Sequence, residues 1–104
     1  MTDLTTIYAY QRAADNLLAA RRRAAVAVAD LHQAEGYAAL SIAYGVDADS
    51  DPERRAYLAS LDGEARAAAS AEVEAVAAHA AARTALLDAH PALRALLDPP
   101  KDPS

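Results

Sequence analysis

The chain has 104 residues and a net charge of −5, enough for one small domain. Although 54% of it is hydrophobic, 31 residues are Ala, against 12 Leu, five Val, two Ile, five Tyr and neither Trp nor Phe, so a monomeric core would be thin. The acidic balance argues against a general nucleic-acid or anionic-membrane binder, and the lack of Cys excludes disulfides and zinc–thiolate sites.

Ala, Leu, Arg and Glu favour helix, and strand-favouring residues are scarce, so the expected class is all-α. The pattern predicts a long antiparallel helical hairpin with a short C-terminal helix. One domain spans 1–98, with helices at about 3–44, 51–90 and 91–97, a turn at 45–50 and a polar tail at 99–104. The N-terminus has no basic segment followed by an apolar run, and no charge-free apolar run reaches about 18 residues. The expected location is therefore cytoplasmic.

Thr2 or Asp3 is the expected cap of the first helix. A series spaced by three and four follows: Ile7, Tyr10, Ala14, Leu17, Arg21, Ala24, Val28, Leu31, Glu35, Ala38 and Ile42. It predicts an amphipathic seam with Arg21 and Glu35 as polar interruptions. Gly36 is a possible break, because Gly within a helix costs about 1 kcal/mol relative to Ala.

Gly45 suits the left-handed position after a helix end. Ser50-Asp51-Pro52-Glu53 has the form of a capping box, with Pro in the first turn and carboxylates at the positive helix end. The second arm places Leu58, Leu61, Ala65, Ala69, Val76, Ala80 and Leu87 near helical spacing, with Gly63 a second possible break. His90-Pro91 disfavours an uninterrupted helix there. Folding the arms about residues 47–50 pairs Leu31 with Ala65, Leu17 with Ala80, and Tyr10 with Leu86 or Leu87.

No catalytic, cofactor-binding or metal-binding constellation is present in the sequence. Asp47, Asp49 and Asp51 alternate as at the start of an EF-hand loop, but Pro52 replaces the required Gly and Leu58 the bidentate Glu. No two of His32, His79 and His90 are four residues apart, and they read as surface or helix-end residues. The Ser and Thr residues lack a nucleophile elbow, and no phosphate-binding Gly loop occurs.

The readings that remain are non-enzymatic. Candidate protein-contact residues are Ile7, Tyr10, Leu40, Ile42, Tyr44, Tyr57, Leu58, Leu61, Leu86 and Leu87. They gather at the two ends of the hairpin, where another copy of the chain (a dimer or higher) or another helical protein would bury them. The composition, nine Arg to one Lys with abundant Ala, fits a GC-rich genome such as that of an actinobacterium or its phage. A phage or mobile-element accessory protein fits this description.

The stretch from Leu17-Leu18-Ala19-Ala20-Arg21-Arg22-Arg23 through Leu31-His32-Gln33-Ala34-Glu35-Gly36-Tyr37, with Ile42-Ala43 and Gly45-Val46, resembles the small helix-turn-helix domains of actinobacteria and their phages. That resemblance implies a DNA-binding regulator, with Arg21, Arg22, Arg23, Arg54 and Arg55 as the candidate contacts. Gly45-Val46 follows Ile42-Ala43 sooner than in that pattern. The next helix opens on Asp49, Asp51 and Glu53 rather than on residues that read bases.

Overall fold

The computed structural model describes residues 4–45 and 51–97. They form three helices: α1 over Thr5–Ala43, α2 over Pro52–Ala89 and α3 over Pro91–Leu97. There is no strand among the described residues. Helices α1 and α2 pack antiparallel, and α3 follows α2 at the open end, in contact with α2. The molecule measures 68 × 38 × 13 Å, so it is about one helix thick. Its radius of gyration, 21.8 Å, compares with about 13 Å for a compact chain of this length.

Both possible breaks prove to be absent. Helix α1 runs unbroken through Gly36 and α2 through Gly63. The local cost of each Gly is offset because α1 and α2 hold one another along their length; Ala34 and Ala38 are half-buried on either side of Gly36.

The helix ends follow local chemistry. Tyr44 N–H donates to Leu40 and Gly45 N–H to Ile42, both at 3.0 Å, and Gly45 adopts φ +82° as expected. The cap of α2 is Asp51 rather than Ser50. Its carboxylate accepts from the Glu53 and Arg54 N–H groups at 3.0 and 3.5 Å, and Pro52 takes the first helical position. Glu53 thus falls one residue too early to close a capping box. Thr2, Asp3 and residues 46–50 lie outside the described residues; Leu4, which precedes α1, makes no side-chain cap. At the far end His90 N–H closes on Leu86 at 3.0 Å, and Arg94 pairs with Asp88.

The seam of α1 differs in phase from the expected one. Tyr10, Leu17, Ala24, Leu31 and Ala38 face inward as predicted. Their companions are Ala20, Ala27, Ala34 and Ser41, not Arg21, Val28, Glu35 and Ile42, which are exposed. One residue is a rotation of about 100°, and turning the small residues inward lets the helices approach closely while charge and bulk face out. Arg21 and Glu35 therefore do not interrupt the seam. On α2 the same rule brings Ala68, Ala75 and His79 inward and leaves Ala69, Val76 and Ala80 outside. Ala68 is 0% exposed, the most buried of the core residues described.

The buried side chains among the described residues are Leu17, Ala24, Leu61, Ala65, Ala68, Leu86 and Leu87. Tyr10, expected opposite Leu86 or Leu87, sets its ring against His79, seven residues earlier, with centroids 5.2 Å apart. The midpoint of the connection does not determine how far one arm is drawn past the other; inward packing does. No helix among the described residues is long and apolar enough to cross a membrane.

Candidate functional site

The candidate site is a surface, and the helical phase determines what each broad face of the hairpin carries. One face is a groove between the helices. Ala9, Arg12 and Asn16 of α1 line it with Ala71, Glu74 and Ala78 of α2. Further toward the turn Arg22, Arg23 and Asp30 line it with Glu64. Val26 and several Ala line it as well, so charges of both signs alternate there with apolar residues.

The other broad face follows from helix geometry. Residues two apart on a helix point about 200° apart. Leu18 and Val28 therefore lie opposite Asn16 and Asp30, and Val73 and Val76 lie opposite Ala71 and Glu74. Ile42 continues the α1 series. All five are exposed, and Ala69, Glu72, Val73 and Val76 line a shallow concavity. The α2 half of this face also carries charge: Asp62 and Arg66 are joined by a 2.9 Å ion pair within the helix, Glu72 lines the concavity, and Arg83 stands two turns beyond Val76.

The candidate contact residues divide into two groups. Leu61, Leu86 and Leu87 are buried, so they hold the hairpin together and are not presented to a partner. Ile7, Tyr10 and Leu58 are half-buried, with Ile7 beside His90, Ala92, Leu93 and Leu96 at the open end. Leu40, Ile42, Tyr44 and Tyr57 are open, Tyr44 most of all at 84%. Periodicity alone does not separate the two groups, because an apolar residue beside a turn satisfies either role.

The arginines do not form one row. Arg21, Arg22 and Arg23 are exposed but fan around α1, while Arg54 and Arg55 sit at the start of α2, about 20 Å away along the hairpin. Arg54 is half-buried, and its Nη1 is shielded from solvent with no hydrogen-bond partner. Helix α1 is continuous over residues 30–43, where the helix-turn-helix pattern needs a break.

Two of the histidines hold structural positions. His79 packs on Tyr10 within the seam, a role that sequence reasoning missed because it placed Ala80 inward. The heptad continued from Leu58 and Leu61 through Ala65, Ala68 and Ala75 reaches His79 and was the available signal. His90 ends α2, and its Nε2 lies 3.4 Å from Thr6 Oγ1 on α1, joining the chain's two arms at the open end. His32 is exposed. No group of three His, Asp or Glu residues suited to a metal ion occurs among the described residues. Asp51 is engaged in its cap, and Asp47 and Asp49 lie outside the described residues.

No protein-family pattern, curated protein or solved structure matches the chain.

Proposed function

We propose that the protein is a non-catalytic association module, a helical hairpin that works by packing against another protein, foremost another copy of itself. One observation carries this reading. Among the described residues four Leu and three Ala are buried, while fourteen large apolar side chains are exposed. A domain usually buries its amphipathic elements between two layers, and this one presents a single layer. Exposed apolar residues arranged along both helices are the mark of an interaction surface.

Sedimentation equilibrium over a wide concentration range tests the proposal. A concentration-dependent shift to dimer or higher order is expected. A monodisperse monomer with high thermal stability would overturn the reading.

The DNA-binding alternative has less support. The arginines it needs lie on different sides of the hairpin and about 20 Å apart, and α1 has no break near Gly36. Counterion release makes any duplex binding salt-dependent, so retention on duplex DNA at about 50 mM salt that disappears at higher salt would favour it.

A further inference from the structure

We draw no further inference here: the strongest candidate, the broad face of the hairpin bearing Leu18, Val28, Val73 and Val76, carries nothing, because exposed apolar residues and charges divide about equally between the two broad faces and nothing in the structure shows what covers either one.

Discussion

Ala68 offers the sharpest test of the packing. Among the described residues it is the only one of the core with 0% exposure, and it stands in the run Ala67-Ala68-Ala69, whose members differ in nothing but direction. Replacing Ala68 with Leu inserts a branched side chain at a fully buried position between α1 and α2. Overpacking of this kind costs about 1–3 kcal/mol. At about 4–8 °C per kcal/mol for a domain of this size, the Tm falls by roughly 5–20 °C. Ala67→Leu places the same side chain on an exposed position and should leave stability within about 0.5 kcal/mol. Helix propensity cannot account for a difference, since the exchange is chemically identical at both sites. The assay is thermal unfolding followed by circular dichroism at 222 nm, at one fixed protein concentration because association shifts Tm. Equal effects at the two positions, or stabilisation by Ala68→Leu, would refute the phase of the α2 seam.

Three further outcomes follow from the same geometry. Asp51→Ala removes the acceptor of two α2 N–H groups and should cost about 1 kcal/mol in denaturant unfolding, whereas Ser50→Ala should change little. Gly45→Ala forces an L residue into φ +82° and should destabilise by about 1–2 kcal/mol, while Gly36→Ala and Gly63→Ala, each with open space where the Cβ would sit, should stabilise by about 0.5–1 kcal/mol; urea midpoints separate the signs. Leu17→Ala should lose about 2–5 kcal/mol as a core deletion. Its exposed neighbour Leu18→Ala should leave the hairpin's helix content unchanged and instead lower the dimer fraction in sedimentation.

Helices and their ends were legible in local chemistry. Gly45 stops α1 because only a residue without Cβ takes a left-handed φ freely, and Pro52 starts α2 because its missing N–H is no loss in a first turn. The exact cap was less legible, since Ser50 and Asp51 both have an oxygen to offer and the path of the chain decides which one reaches the orphan N–H groups. Continuity through Gly36 and Gly63 was not legible either, because a helix held by a neighbour tolerates what an isolated helix does not.

The placement of the candidate contact residues was readable only in part. Leu58, Leu61, Leu86 and Leu87 look alike in sequence to Leu40 and Ile42, yet most of the first group is drawn into the hairpin and the second is left outside. The sequence by itself determined that this chain is helical, that it turns back near residue 45 and that its large apolar residues are too few for a thick core. Tertiary structure decided the rotation of each helix about its axis. In so Ala-rich a chain several phases offer an inward row of apolar residues, and the one adopted turns Ala20, Ala27, Ala34 and Ala68 inward so that the backbones can approach. That choice sends Leu18, Val28, Val73 and Val76 to the surface.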